Sequence, residues 1–309
     1  MIRTCTGVGL PFPDRSVWKA LVDTGAELRC DEPVADYTTI RIGGIASTLV
    51  RPKELEQLRR VMKTVQELGL ALEVLGGGSN LVVVGNRLTS IVLHTRRLDW
   101  IVPEAGGLRC GGGALLVAAI RRAISSGLAG LEGLCGIPAT VGGAVFMNAG
   151  GKYAEMAEFV KSVTVIDREG RARQMAGSEI PWAYRRSGLG EGIVAEVRLA
   201  LPGGADPVAL RERYDRILEE KAASQPLSDW SAGCVFKNPP GGNAGALIDR
   251  AGLKGARVGG TVVSQVHANF IVNTGRGSPA DFTGLMNRVQ RQVSDAFGVR
   301  LEPEVVLWP

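Results

Sequence analysis

The sequence predicts a mixed α+β protein of two or three domains, and three observations carry that expectation. The chain has 309 residues, too many for one small core. Segments with helical spacing of apolar residues alternate with short apolar β-like runs along its length. The 42 glycines fall in knots, each beside a β-like run: GG at 43–44, GGGSN at 76–80, GGG at 111–113, GIPATVGG at 136–143 and AGG at 149–151. Glycine permits positive φ and lets main-chain N–H groups approach a ligand closely. Several such knots point to a large phosphate-bearing cofactor held mainly by backbone.

Residues 1–35 form a lead with a short helix around SVWKALVDTG. TIRIGG, from Thr39, reads as strand-like and leads into ASTLVRP. In KELEQLRRVMKTVQEL, Leu55, Leu58, Val61, Met62 and Val65 mark one helical face. LALEVLGGGSNLVVV then reads as strand, glycine turn and strand, and SIVLHT as another strand. GLRCGGG ends a strand and LLVAAIRRAISSG is an apolar helix stopped by Gly127. SVTVIDREGRARQM is a hairpin turning at Asp167–Gly170. IVAEVRLAL, 193–201, is a strand, and Pro-Gly-Gly at 202–204 a linker.

The charged helix DPVALRERYDRILEEKAASQP stops at Pro226. SAGCVFKNP reads as a loop, AGALIDRAGLKG as a helix ended by glycine, and VVSQVHANFIVN as one or two strands around a polar tip. SPADFTGLMNRVQRQVSDAFG is an amphipathic helix with Ser278 or Asp281 at its cap. VRLEPEVVLW closes the chain as a strand. The divisions are 1–35, 36–97, 98–204 and 205–309, and the last strand is free to pack back on the earlier module.

Composition excludes several functions. At 45% hydrophobic and 22% charged, the chain is an ordinary globular protein. No run of 18 apolar residues occurs and the start lacks an apolar signal core, so a cytoplasmic protein away from membranes is expected. Five cysteines without a CxxC pair (Cys5, Cys30, Cys110, Cys135 and Cys234) argue against a disulfide framework and against zinc. With only His94 and His267, no metal centre is expected. The net charge of +5 is dispersed among acidic neighbours, so no nucleic-acid partner is expected.

A dinucleotide fold of the Rossmann type needs GxGxxG between a strand and a helix, and a Walker loop needs GK[ST]. GGGSN has neither context; alone it suits a tight hairpin turn as well as a phosphate loop.

Seven stretches, in order, carry a resemblance: TIRIGG (39–44), LGGGSN (75–80), GIPATVGG (136–143) with NAG (148–150), YRRS (184–187), SAGCVFKNP (231–239), HANFI (267–271) and LEPEV (301–305). From about residue 36 onward the chain resembles the UDP-N-acetylenolpyruvoylglucosamine reductase family, the MurB flavoenzymes of peptidoglycan synthesis. Its spacing between YRRS and SAGCVFKNP resembles the compact, type II form.

The resemblance implies a two-part FAD-binding module of the vanillyl-alcohol-oxidase (PCMH) type, over 36–97 and 98–204, and a C-terminal α+β substrate-binding domain over 205–309. FAD is expected to be non-covalent, because neither histidine lies in the glycine loops or just before Gly76. NADPH is expected as co-substrate, and the chain as a monomer acting on a UDP-sugar. Gly76, Gly77, Gly78, Ser79 and Asn80 resemble the family's pyrophosphate loop. Gly136, Ile137, Pro138, Thr140, Gly142 and Gly143 resemble the second wall around the flavin. Arg41 and Ile193 complete the expected cofactor set.

The resemblance makes Arg185 the catalytic arginine, whose guanidinium can fork onto a carboxylate and stays charged. Glu304 matches the catalytic glutamate. Glu302, two residues earlier, would share its face on an ideal strand, so periodicity does not separate them. Cys234 stands where the family usually has serine, with cysteine its substitute, and is expected to protonate the substrate carbon as a neutral thiol. Lys237 and Asn238 are expected at the substrate carboxylate or phosphates. Tyr153, Tyr184, Gln225, His267 and Asn269 are further binding candidates, each with an ordinary structural alternative. A FAD-dependent sugar or alcohol oxidase or dehydrogenase on the same module remains the alternative activity.

Overall fold

The computed structural model describes residues 15–309; Cys5 and the beginning of the N-terminal lead lie outside the described residues. The described chain begins with α1 (Arg15–Asp23), β1 (Glu27–Pro33) and β2 (Ile45–Arg51), followed by α2 (Leu55–Glu67), β3 (Leu72–Leu75), β4 (Leu81–Val83) and β5 (Arg87–His94). Next come β6 (Ile101–Glu104), β7 (Gly107–Gly111), α3 (Leu116–Ser125), α4 (Val141–Phe146), β8 (Val160–Ile166), β9 (Ala172–Ala176) and β10 (Ile193–Ala200). The remainder is α5 (Pro207–Ser224), β11 (Trp230–Cys234), α6 (Ala244–Arg250), β12 (Arg257–Val258), β13 (Thr261–Val263), β14 (Phe270–Asn273), α7 (Pro279–Phe297) and β15 (Val306–Trp308). No helix among the described residues is long and apolar enough to cross a membrane.

Two compact units share the chain, and they interleave. The first takes residues up to 32, 46–77 and 89–218; the second takes 33–45, 78–88 and 219–309. The chain therefore changes unit inside GGGSN, between Gly77 and Gly78, and again within α5 after Leu218.

The first unit holds two sheets. One has order β1-β2-β5-β3, with β3 parallel to β5 and Leu75 opposite His94. α2 covers it because Leu58, Val61, Met62 and Val65 recur on one face and are buried with Val50, Ile91 and Leu93. The second sheet is antiparallel, β6-β7-β10-β8-β9, and packs against α3, α4 and part of α5. Ile166 and Ile193 from its strands enter the apolar cluster under α2, which joins the two sheets.

The second unit is built on the antiparallel sheet β11-β14-β13-β12 and a parallel pair, β15 with β4. Its core gathers Ile40, Val82, Phe236, Ile248, Phe282, Leu285, Val289 and Val305. α7 starts at Ser278, whose hydroxyl accepts from the Asp281 N–H while the Asp281 carboxylate accepts from the Ser278 N–H. Both expected caps thus form one capping box, and Gly298, at φ +68°, ends the helix.

Several local expectations change. TIRIGG is not a strand: Arg41 has φ +54°, which breaks an extended run. GGGSN is no hairpin, because β3 pairs with β5 and β4 pairs with β15. The loop expected at SAGC is strand β11, bulged at Gly233 with φ +74°. GIPATVGG opens α4, with Thr140 as N-cap. The closing strand is confined to Val306–Trp308, since Pro303 removes a ladder donor and makes only an isolated bridge to Phe236. β1, sequence ELRCDEP, carries too many charges to read as a strand. Cys30 within it is disulfide-bonded, which the odd cysteine count did not suggest; Cys110, Cys135 and Cys234 are not in disulfides.

Candidate active site

In the first unit, three glycine knots meet main chain to main chain. A Cβ on Gly76 would lie 2.8 Å from Thr140 Oγ1, and one on Gly77 would lie 3.1 Å from the Pro138 carbonyl oxygen and 3.2 Å from Thr140 N. Gly142 N–H donates to Gly112 O at 2.8 Å, and Gly112 N–H donates to Ala195 O of β10 at 2.8 Å. At Gly76, Gly112 and Gly142 a Cβ would come within 3.0 Å of its neighbours, so glycine is needed there, and at Gly77 the fit would be tight. Thr140 is buried, and its hydroxyl accepts from Gly143 N–H at 3.1 Å.

Gly136, at φ +77°, turns the chain into Ile137, which is half-buried, and Pro138, which is exposed. This close-packed main chain with few protruding side chains suits a flavin lying against it; Gly112, Gly142 and Gly143 donate their N–H groups within the wall, so phosphate contacts fall to the Gly76–Asn80 loop. Ile193 is buried in the apolar cluster under α2, so its side chain packs in the core and only its main chain is left to meet a cofactor.

His94 ends β5 beneath this wall. Burial, and then Arg51, Arg96 and Arg29, push its imidazole down to about 3, so it is neutral across the working pH range. Thr95 Oγ1 donates to Leu75 O, and Arg96 Nη1 donates to Gly113 O, so the end of β5 holds two of the knots.

Arg185 sits at the tip of a tight turn. Ala183 N–H donates to Arg186 O at 2.8 Å and Arg186 N–H donates to Ala183 O at 3.1 Å. Tyr184 and Arg185 are left between them, and Arg185 has φ +56°. Its guanidinium carbon lies 4.9 Å over the ring centroid of Tyr184, which is exposed. Beside the turn is a cavity of about 190 Å³ lined by Phe146, Met147 and residues 185–190. Tyr153 lies elsewhere in this unit, half-buried, with its hydroxyl 3.2 Å from Lys152 Nζ.

In the second unit, the rest of GGGSN is tied to the segments carrying Cys234 and Glu304. Gly78 is buried at φ +62°, and its carbonyl accepts from Thr39 N–H at 3.1 Å. The Thr39 hydroxyl donates to Ser231 O of β11 at 2.6 Å. Asn80 Nδ2 donates to Glu304 O at 3.1 Å, and Asn80 O accepts from Val306 N–H at 3.0 Å. Glu304 N–H donates to Val235 O at 2.8 Å, one residue after Cys234. Cys234 is half-buried and stands opposite Phe270 beyond the Gly233 bulge. Ser79 is half-buried on the same loop.

The two glutamates separate here. Glu302 is exposed, its side chain 74% accessible and 3.6 Å from Lys237 Nζ, whereas Glu304 is half-buried. Lys237 is exposed, and its N–H donates to Glu302 O at 2.9 Å. Asn238 Oδ1 accepts from Ala244 N–H at 3.0 Å, bracing the start of α6.

Asn269 is buried, with Oδ1 accepting from Phe236 N–H at 3.0 Å and Nδ2 donating to Phe236 O at 2.8 Å. Its amide braces the segment that follows Cys234. His267 Nδ1 accepts from Asn269 N–H at 3.2 Å and its ring meets Phe270 edge-on; burial, with Lys254 second, lowers its pKa. Gln225, half-buried, follows α5 and donates its N–H to Lys221 O.

Arg41 is exposed, 4.8 Å over the Trp230 ring. Two bracing residues escaped the sequence reading. Thr39 lies inside a motif read only as a strand. Asn273 donates to Ile40 O and Arg41 O and fixes the Arg41 bend, and only its position at the end of an apolar strand marks it.

A FAD binding domain model matches residues 46–176, and a model of the UDP-N-acetylenolpyruvoylglucosamine reductase C-terminal domain matches 225–308. The chain is 42% identical to UDP-N-acetylenolpyruvoylglucosamine reductase 2 of Symbiobacterium thermophilum, over 94% of this chain and 95% of that protein. The crystal structure of the Thermus caldophilus reductase (MurB) superimposes with a TM-score of 0.78 at 36% identity, covering 92% of this chain and 99% of that one. A glucooligosaccharide oxidase from Acremonium strictum shares the fold alone, at 14% identity and a TM-score of 0.51, covering 95% of this chain and 60% of its own. The chain belongs to the UDP-N-acetylenolpyruvoylglucosamine reductase family, oxidoreductases that use FAD and NADPH.

Proposed function

We propose that this chain reduces UDP-N-acetylglucosamine enolpyruvate to UDP-N-acetylmuramate, with NADPH as reductant, in peptidoglycan precursor synthesis in the cytoplasm. In this reading 36–97 and 98–204 are the two parts of the FAD module, 205–309 completes the substrate domain, and the enzyme is the compact, type II form. FAD, held non-covalently by Gly76–Asn80, Gly136–Gly143 and Arg41, supplies the hydride chemistry when bound.

The chain's own residues have three tasks. Hydride arriving at the terminal carbon of the vinyl ether drives negative charge through the adjacent carbon onto the carboxylate. Arg185 meets that carboxylate with a fixed positive charge, and Lys237 and Asn238 bind nearby anionic groups of the substrate. Glu304 acts protonated, or sharing a proton, at the developing charge. The Cys234 thiol gives its proton to the adjacent carbon and ends as thiolate, to be reprotonated from solvent. With a reference pKa of about 8.5, an unperturbed thiol starts neutral at pH 7.

The observation that supports this reading most directly is the bond from Glu304 N–H to Val235 O. It ties the carboxyl-bearing residue to the strand that ends in the thiol. The test separates the half-reactions under anaerobic conditions. Cys234→Ala is expected to spare flavin reduction by NADPH and to slow reoxidation by the enolpyruvyl substrate by about 10²-fold or more. Equal slowing of both halves sinks the assignment of Cys234, and a wild-type flavin that the substrate does not reoxidise sinks the reductase reading itself.

A further inference from the structure

The Arg185 turn is pinned at both ends to the C-terminal end of α4, through its last residue Phe146 and through Asn148 just beyond it. Asn148 Nδ2 donates to Ala183 O at 3.2 Å, on the entering side of the turn. Ser187 donates twice to Phe146 O, from its N–H at 3.1 Å and from its hydroxyl at 2.9 Å, on the leaving side. Both residues are buried, at 3% and 1% exposure, so water does not compete for these bonds.

Asn148 is itself fixed. Its Nδ2 also donates to Glu155 Oε2 at 3.2 Å, and its Oδ1 accepts from Ala157 N–H at 3.0 Å. Its backbone takes φ +41°, where Asn is tolerated better than most residues. Arg185 takes φ +56° at a turn position where glycine is the usual choice, a conformation that persists only when the surroundings enforce it.

α4 begins at Thr140, which closes on Gly76, and Phe146 and Asn148 stand at its other end. One short rod therefore runs from the glycine wall to the turn bearing the guanidinium. From this geometry we propose that Asn148 and Ser187 are positioning residues for the reductive reaction: they set the Arg185 guanidinium in register with the cofactor wall through α4. This rests on the reading of Arg185 as the group that meets the substrate carboxylate. Neither residue touches substrate in this proposal; each acts through Arg185.

The test compares FAD-loaded Asn148→Gly, Ser187→Ala, Arg185→Ala and the double variant Asn148→Gly/Arg185→Ala by stopped flow. Glycine at 148 removes the amide while keeping the positive φ available, so side-chain loss is separated from backbone strain. Asn148→Gly is expected to slow reoxidation by UDP-N-acetylglucosamine enolpyruvate by about 10- to 100-fold, the scale of a displacement near 1 Å. Ser187→Ala, which keeps its N–H bond, is expected to slow it by about fivefold. Flavin reduction by NADPH is expected to change less than about twofold in both, and the double variant to be no slower than Arg185→Ala alone.

Multiplied losses in the double variant, or equal slowing of both half-reactions, overturn the proposal, because a general structural role gives those results. If Asn148→Gly does not fold, Ser187→Ala against the Arg185→Ala background decides by the same criterion. Unchanged reoxidation in Arg185→Ala overturns the underlying reading of Arg185, a result distinct from a failure confined to Asn148 and Ser187.

Discussion

The two units solve different problems with different parts of the chain. In the first, the wall proposed to hold the cofactor is main chain: a Cβ on Gly112 or Gly142 would come within 3.0 Å of neighbouring main chain, and one on Gly76 within 3.0 Å of Thr140 Oγ1. In the second, the proposed chemistry sits on side chains, Cys234, Lys237 and Glu304, carried by short segments cross-linked through main-chain and amide bonds. Geometry without side chains is suited to holding a large ligand by its phosphates. Acid and charge chemistry needs side chains held at defined positions, so the bracing there is dense. GGGSN spans the division, with Gly76–Gly77 in the wall and Asn80 bonded to the Glu304 segment.

The largest effect is expected in the second unit. Glu304→Gln keeps the size and the main-chain bonds to Val235 and Asn80 and removes only the carboxyl. Reoxidation by the enolpyruvyl substrate is expected to fall by about 10² to 10⁴, the range of a lost general acid, with flavin content and its reduction by NADPH unchanged. The measurement is single-turnover reoxidation followed in the flavin absorbance band. Loss of flavin from this variant breaks the comparison, because a side-chain deletion would then have damaged the wall.

The converse substitution belongs to the first unit. Gly76→Val forces a branched side chain into the place where even a Cβ would lie 2.8 Å from Thr140 Oγ1. FAD retention is expected to weaken by about 100-fold, and with it both half-reactions together, the signature of lost binding. Gly151→Ala is the matched control, since a Cβ there meets nothing within 4 Å, and its flavin affinity is expected to stay at the wild-type value. Flavin fluorescence on dilution measures both. A Gly76→Val enzyme that keeps its flavin and loses only reoxidation assigns the wall to substrate instead.

How far these two regions were legible in the sequence follows from the same contrast. The wall was legible because glycine knots are a local signal, and their clustering survives without knowledge of the fold. α2 and α7 were legible because their buried positions recur at helical spacing and α7 carries its cap in sequence. Arg41 was misread as part of a strand because its left-handed bend is held by the tertiary bond from Asn273, whereas the break at Pro303 was legible, since proline lacks a ladder donor, and was passed over. Glu302 and Glu304 could not be told apart by period-two reasoning, because no strand runs through them; burial separates them. Asn269 and Ile193 were expected at ligands from the resemblance alone, and the sequence did not show that both side chains are buried. Their burial depends on partners far along the chain, Phe236 and the cluster under α2.

The smallest expected effect concerns the two histidines, one in each unit. His94 is buried and held down to about 3 against an ordinary 6.5, while His267 is lowered by burial and Lys254 but less enclosed. A histidine with a depressed folded-state pKa binds its proton more readily when unfolded. Its contribution is therefore fully present above pH 6.5 and is lost as pH falls from 6.5 toward the folded value. For His94 that window runs from 6.5 to about 3, with a slope approaching 1.4 kcal/mol per pH unit below 6. His94→Gln, which cannot titrate, is expected to flatten the fall of Tm with pH between 6 and 4. His267→Gln, whose imidazole is lowered by a less complete burial, is expected to flatten it less. Thermal melts of the holoenzyme across that range measure both slopes. An equal response from the two variants would show that the dry interior behind the glycine wall is no drier than the side-chain site, and that the contrast between the units does not extend to their solvation.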